Sequence, residues 1–370
     1  MSAPTPVLQL LGPSTGGIRR HVAHLADQLE ARGWPVSVAA PPGALEGLRP
    51  LDHVVDVPGV GASGRVSVSA LRTARAALAR SAGEVGLIHA HGLKAGWLAA
   101  SLRRRPPLVV TLHNVVLSGA AGPATPVLRG LESRLPARSD GTIVVSTEMA
   151  RRFTGGSGAG RVRVIPPASR AQAPVGTVAA TRARLGVEPG QPLALCVARL
   201  HPQKGLDVLL GATALLRRRV PALRVVIVGQ GPLEGELRRQ CAAMALDGTV
   251  IFAGASSEVA DELAAADVVV VPSRWEGWPL VVFEALHLGR PVVATAVGGV
   301  PDMVAEGVGG RVVAPGDVLA LAEAVESVLD DPAGAAAMAR AGARLLAERY
   351  PPDGLVEQVE AVYTGVLSGG

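Results

Sequence analysis

Ser273-Arg274-Trp275-Glu276-Gly277-Trp278-Pro279-Leu280-Val281-Val282-Phe283-Glu284-Ala285-Leu286 follows directly on the apolar run Val268–Val271. A short β-branched run that breaks at a loop and resumes as a longer Leu/Val/Ala-rich stretch reads as one β–α unit of a buried parallel sheet. The reading puts Glu276 in the loop after the strand and Glu284 about two turns into the helix that follows. Carboxylates on both sides of a helix start can hold a polyhydroxylated ligand, and the free N–H groups of that start can hold a phosphate. Arg199 and Lys204, at least one strand–helix unit upstream, add positive charge. Grips for a sugar and for a diphosphate in one region point to a sugar nucleotide.

The same unit recurs along the chain. Strands are expected at Val7–Leu11, Val36–Ala40, Leu87–Ala90, Leu108–Leu112, Gly141–Val145 and Val162–Ile165. A second series is expected at Leu193–Ala198, Arg224–Val228, Val250–Phe252, Val268–Val271, Pro291–Ala294 and Gly310–Val313. Helical patterns rich in Ala, Leu and Arg separate them. Such alternation implies right-handed crossovers and parallel sheets. The rhythm breaks between Pro166 and Pro192, a Pro- and Gly-bearing stretch that reads as a linker with one helical turn. The chain therefore divides into an N-terminal domain (1–170), a linker (171–191) and a C-terminal domain (192–349). Pro332–Arg349 reads as a helix, Tyr350-Pro351-Pro352-Asp353 interrupts it, and Leu355–Leu367 is a last helix with Asp353 as its N-cap. The simplest architecture is α/β, with two doubly wound Rossmann-like domains facing a central cleft. In such sheets ligands sit beyond the carboxyl ends of the strands.

Bulk properties narrow the classes. A chain of 370 residues suits two domains, and 48% hydrophobic against 18% charged residues describes a folded protein rather than a disordered one. No apolar run reaches the roughly 18 residues that span a bilayer, and Met1–Leu10 lacks a basic leader. The expected location is cytoplasmic. Cys196 and Cys241 stand alone in apolar contexts and suggest neither a disulfide nor a metal site. The net charge is +5, carried almost wholly by arginine, since Lys94 and Lys204 are the only lysines. A basic surface favours acidic partners. Nucleic acid is the weakest of these, because aromatics are 2% and none interleaves with a basic stretch. Arg103-Arg104-Arg105 and Leu128–Arg138 fit either a solvated face or peripheral contact with an anionic membrane.

Further turns carry candidate chemistry. Gly16-Gly17 closes the first strand's loop and opens a helix, where backbone can approach a ligand or simply turn. His89, His91 and His113 end two apolar strands. His89 reads as structural and His91 is open. His113 can bond a sugar hydroxyl or serve as a hydrogen-bonded rim residue. Arg199 and Lys204 can neutralise a diphosphate and its departing charge, or remain solvated surface charges. Gly229-Gln230-Gly231-Pro232 approaches a dinucleotide fingerprint, but the next glycine comes late and Pro232 intrudes, so it reads as a turn near base or ribose. Gly298-Gly299 is one more glycine turn before a helix. No Asp-x-Asp triplet occurs, and the Arg199–Lys204 pair can do a cation's work, so no metal or other cofactor is expected.

In order, Gly16-Gly17, His113, Arg199…Lys204-Gly205, Glu276 and Glu284 with seven residues between them, and Gly298-Gly299 resemble the pattern of a GT-B glycosyltransferase of the retaining group often called family 4. The resemblance covers nearly the whole chain. It implies an acceptor-binding N-terminal domain, a nucleotide-sugar-binding C-terminal domain and a last helix (350–370) crossing back to the first domain. It implies that Arg199 and Lys204 hold the diphosphate, Glu284 the ribose, and Glu276 the donor sugar, helped by backbone N–H groups of the segment Trp278-Pro279-Leu280-Val281, in which Pro279 itself carries none. Gly17 would approach the phosphates and His113 the transferred sugar. Trp278, Asn114 and Asp302 depart from the commoner residues at those places, and Trp278 and Asn114 leave sugar preference open. The implied activity is transfer of a hexosyl-type sugar from a UDP- or GDP-sugar to an acceptor hydroxyl on a lipid-linked molecule, glycan or small molecule, with retention of configuration. A sugar-nucleotide epimerase or hydrolase, or a non-catalytic sugar-nucleotide-binding subunit, would use the same scaffold.

Overall fold

The computed structural model describes residues 5–14, 17–46, 50–58, 67–116, 125–167, 172–256 and 259–369. It divides into two units, Met1–Ser169 with Tyr350–Gly370, and Arg170–Arg349. The first holds β1 (Val7–Leu11), β2 (Val36–Ala40), β3 (His53–Val54), β4 (Leu87–His91), β5 (Leu108–Leu112), β6 (Gly141–Val144) and β7 (Val162–Val164), in spatial order β3-β2-β1-β4-β5-β6-β7. The second holds β8 (Leu193–Val197), β9 (Arg224–Val228), β10 (Val250–Gly254), β11 (Val268–Val271), β12 (Val292–Thr295), β13 (Ala305–Glu306) and β14 (Gly309–Val313), in order β10-β9-β8-β11-β12-β14-β13. The strands of each sheet pair in parallel. All twelve expected strands form, with ends moved by a residue or two. The two that were not expected, β3 and β13, are two-residue edge strands. Neither is long enough to show a hydrophobic period, and backbone pairing to a neighbour already in place makes them.

Each sheet reverses its winding once, between β1 and β4 and between β8 and β11. The loops leaving those strands diverge there and leave a crevice at the carboxyl edge, the ligand position of doubly wound sheets. Sequence alternation explains why the strands lie inside. All five residues of β1, β4 and β5 are buried, as are all four of β11 and β12.

The last helix, Pro352–Ser368, is counted with the first unit. Leu355, Val356, Val359 and Tyr363 fall on one helical face and join Val7, Leu25, Leu29, Leu87, Val109 and Ile143 in one core. Burying each such side chain contributes roughly 1.5–3 kcal/mol. Trp34 Nε1 donates to Glu360 Oε1 at 2.8 Å and Arg32 meets Glu357 and Glu360, which fixes the helix's azimuth. The helix starts three residues earlier than expected. Pro351 occupies the cap and Pro352 the first turn, where a missing N–H costs nothing, so Asp353 lies inside the first turn rather than at the cap.

The expected linker is also partly folded. Val178–Arg184 is a helix capped by Thr177 Oγ1, and it belongs to the second unit. Its arginines are paired. Arg182 donates to Asp267 at 2.7 Å and to the carbonyls of Ala265 and Gln191, and Arg184 meets the buried Glu262 at 3.1 Å. Residue 171 lies outside the described residues.

Candidate active site

The second unit brings the loops after β8 and β11 together at its switch point. Lys204 ends a short turn, Pro202–Lys204, that caps on His201, and Gly205 then opens the helix Leu206–Arg219. Lys204 Nζ lies 2.6 Å from Glu276 Oε1, and Ser273 Oγ donates to the same oxygen at 2.5 Å. The side chains are 18% and 7% exposed, so the pair is shielded yet reachable. Arg274 clamps the loops with a bidentate pair to Asp207 at 2.7 and 2.6 Å and a bond to Pro202 O. That guanidinium holds the Asp207 carboxyl below its ordinary range. Gln203 Nε2 donates to Trp275 O at 2.9 Å, and Thr295 Oγ1 to Ser273 O. Arg199, two residues past β8, is exposed. Ser273, Asp207, Arg274 and Gln203 were not foreseen. Ser273 and Arg274 stand in the decisive stretch, but nothing in it says which partners they reach.

The glycines serve these loops before any ligand. Gly205 (φ 61°) and Gly298 (φ 58°) are in the left-handed region. A Cβ at Gly205 would overlap Pro272 O, and one at Gly298 would overlap Glu276 O. Gly229 and Gly231 likewise press against the carbonyls of Ala198 and Leu200, letting the loops of β8 and β9 run side by side. Close backbone approach therefore explains the glycine pairs without a nucleotide. Gly299 N–H donates to Gly277 O at 2.9 Å, tying the two glycine turns.

The helix Leu280–His287 begins behind Pro279, which supplies no side-chain cap. Its first N–H groups, including Leu280 and Val281, are the orphan donors of a helix start, carrying the positive end of its dipole. Glu284 is the fifth residue of this helix, a little over one turn in rather than two, because Pro279 delays the start. Glu284 and Trp278 are both buried, at 7% and 9% exposure. Cys196 is buried beneath this site, and burial pushes its thiol up to about 12, which makes it inert there.

In the first unit the polar residues form a line on one face of β1, β4 and β5. Gln9 pairs in register with His89, and His91 with Thr111, so period-two alternation puts Gln9, His89, His91, Thr111 and His113 on the same side. Tyr363 of the last helix covers them. Thr111 Oγ1 bonds His89 Nε2 at 2.7 Å, and His89 Nδ1 bonds Tyr363 Oη at 2.6 Å. Gln9 Nε2 donates to Tyr363 Oη at 3.0 Å, and Gln9 Oε1 meets His91 Nε2 at 2.7 Å. His91 Nδ1 lies 3.1 Å from His113 Nε2. Burial, reinforced by neighbouring His21, lowers His89 to about 3, and burial also carries His91 and His113 well below the ordinary histidine range. His21 stands edge-on to His91 and His113. Among the described residues His21, His91 and His113 are a set whose ring nitrogens could hold a metal ion, lying within 4.8 Å of one another. Sequence reading expected no metal ligands and did not join these three. As they stand, both His91 nitrogens are occupied by hydrogen bonds.

Gly17 opens the helix Gly17–Ala31, while Gly16 lies outside the described residues. The small-residue stretch Gly119–Pro126, which in sequence could gate the acceptor or be a plain loop, lies outside them through residue 124 and then enters the helix Thr125–Arg134. Of Arg103–Arg105, Arg103 and Arg104 are exposed, whereas Arg105 bonds Asp140 at 2.6 Å and Arg138 O. Among the described residues no helix is long and apolar enough to cross a membrane. A cavity of about 830 Å³ beside β7 and the last helix, lined by Arg105, Arg163 and Val366 among others, contains none of the expected site residues.

Residues 178–345 match the family described as glycosyl transferases group 1, and residues 15–169 match glycosyltransferase family 4. A D-inositol 3-phosphate glycosyltransferase of Catenulispora acidiphila is 32% identical over 99% of this chain and 94% of its own. The chain belongs to the family 4 glycosyltransferases. This glycosyltransferase has the GT-B fold. Sucrose-phosphate synthase of Thermosynechococcus elongatus superposes with a TM-score of 0.83 at 24% identity, covering 99% of this chain and all of that one. Anabaena HepE, solved with UDP and glucose, gives 0.83 at 25% identity over 98% of this chain and 100% of its own. As a member of the family, the glycosyltransferase is a hexosyltransferase-class enzyme that takes its sugar from a nucleotide donor.

Proposed function

We propose that this glycosyltransferase moves a hexosyl unit from a UDP- or GDP-sugar to an acceptor hydroxyl with retention of configuration. The observation that carries the reading is the Lys204–Glu276 pair beside the uncapped start of Leu280–His287, with Glu284 buried in that helix. Arg199, Lys204 and the N–H groups of Leu280 and Val281 bind the diphosphate and stabilise the charge that develops on it as the anomeric bond breaks. Glu276 accepts from hydroxyls of the sugar, Glu284 from the ribose, and Trp278, Gly229 and Gly231 line the nucleotide. His113 bonds a hydroxyl of the transferred sugar. The acceptor oxygen attacks the face that the diphosphate leaves, and its proton passes to a leaving phosphate oxygen, so no covalent nucleophile is required. The first unit takes the acceptor. A relative named for D-inositol 3-phosphate makes a phosphorylated cyclitol the first acceptor to try. Peripheral contact with anionic membrane through Arg103 and Arg104 is part of the same proposal, and no sedimentation with phosphatidylglycerol vesicles at low salt would remove it.

A thermal-shift panel of UDP, GDP, ADP and their sugar conjugates, with and without EDTA, tests the donor. A ligand selective for the native state raises the melting temperature by mass action. One nucleoside diphosphate should shift the protein irrespective of EDTA and fail to shift Arg199→Ala. No shift from any of them would overturn the reading. Donor consumed without acceptor would transfer it to the hydrolase or epimerase alternative. The anomeric configuration of the product, read by NMR, decides retention.

A further inference from the structure

The hydrogen-bonded line of the first unit has a direction, and the direction follows from what each group can give. Gln9 Oε1 can only accept, so the proton on the Gln9–His91 bond sits on His91 Nε2. A neutral His91 then has a bare Nδ1, which accepts from His113, so the proton of that bond sits on His113 Nε2. At the other end of the amide, Gln9 Nε2 donates to Tyr363 Oη. The phenol's own proton has the bare Nδ1 of a neutral His89 as its acceptor, and His89 Nε2–H then goes to Thr111 Oγ1. Every proton points the same way, from His113 through His91, Gln9, Tyr363 and His89 to Thr111. With His91 neutral, reversing any bond between His113 and Tyr363 would require reversing the Gln9 amide, which spans His91 and Tyr363.

We propose that Tyr363, Gln9 and His91 are positioning residues that hold His113 in its Nε2–H tautomer, so that its Nδ1 is presented as an acceptor for a substrate hydroxyl. The tautomer part stands on the hydrogen-bond geometry with His91 neutral, and the substrate part rests on the role given to His113 above. It assigns a task to the crossing-back helix beyond packing. Tyr363 reaches Gln9 across 354 residues of sequence, and it supplies the acceptor that keeps the Gln9 amide oriented. A family of neutral imidazoles held this way recognises donors, the O–H groups of a sugar, rather than carbonyl or phosphate oxygens, which would need an N–H at that place.

Long-range proton–nitrogen correlation on the full-length protein labelled with nitrogen-15 histidine reads each ring's tautomer at pH 7.5 without substrate. His113 is identified by the signals lost in His113→Asn. The wild type should show His89, His91 and His113 as Nε2–H. Tyr363→Phe keeps the ring and removes the hydroxyl, and it should turn His113 into a mixture of tautomers. Gln9→Leu, which cuts the line nearer His113, should do the same and guards against a folding failure in the first variant. In both, kcat/KM for the sugar nucleotide should fall about 10-fold while the affinity for the free nucleoside diphosphate stays within 2-fold. His113 found as Nδ1–H in the wild type, or unchanged in both variants, overturns the proposal. Tautomers that change as expected with kcat/KM unaltered leave the line intact and instead overturn the contact of His113 with substrate. A purely structural role for Tyr363 would lower the melting temperature without moving the tautomer.

Discussion

At the scale of single residues, Lys204 and Glu276 answer each other, and that changes what their substitution means. Lys204→Ala removes leaving-group stabilisation and should lower kcat by about 10²–10³-fold. It also leaves a nearly buried Glu276 with only Ser273 as partner, so some loss of stability is expected alongside. The double variant Lys204→Ala with Glu276→Gln should recover the melting temperature but not the rate, and thermal melts beside initial rates separate the two effects. Glu284→Ala should instead act on nucleotide affinity, about 10-fold by titration calorimetry, with kcat little changed. Gly298→Ala is a different kind of test. Its φ of 58° and the Glu276 carbonyl in its path should cost about 2–3 kcal/mol in denaturant unfolding and displace Glu276, lowering activity with no functional atom removed. A Gly298→Ala enzyme of normal rate and stability would contradict the packing of these two loops.

The first unit's three central strands show what an element can carry beyond its hydrogen-bond ladder. β1, β4 and β5 are apolar except for one aligned face, and that face keeps histidines neutral by burial. A histidine whose folded value lies near 3 and whose unfolded value lies near 6.5 takes up its proton on unfolding at any pH between the two. Stability is therefore complete above about pH 6.5 and falls as the pH drops toward 3. Each such ring loses about 1.4 kcal/mol per pH unit. His89 alone should cost the first unit about 1.4 kcal/mol between pH 7.5 and 5.5, and His91 and His113, shifted in the same direction by burial, add to that loss. Calorimetry across that range checks it, and a melting temperature constant to pH 5.5 would mean that the rings are not neutral and buried. Most of these elements were legible in sequence because continuous Val/Leu runs leave no other reading. The edge strands β3 and β13 were not, since two-residue pairings have no period, and the one helical turn expected in the linker is the longer helix Val178–Arg184, whose arginine pairs are invisible until folded.

The whole molecule consists of two units, each with its own sheet and core, and the chain returns to the first unit for its last helix. Calorimetry should resolve two transitions, with Tyr363→Phe lowering one of them and the bound nucleoside diphosphate raising the other, because Arg199, Lys204, Glu284 and the N–H groups of Leu280 and Val281 proposed to hold it lie in Arg170–Arg349. A single transition shifted by both changes would show the units to be energetically one. The sequence by itself determined the β–α alternation, the division into halves and the family, because buried parallel strands need unbroken apolar runs and because Arg199, Lys204, Glu276 and Glu284 occur at informative spacings. Tertiary structure alone decided which partners meet. It brought Lys204 onto Glu276 across the switch point, pressed Gly205 and Gly298 against facing loops, and laid Tyr363 over Gln9 and His89. Those contacts join segments far apart in the chain, and no local period encodes a partner that only the closing of a sheet and the return of a helix bring within reach.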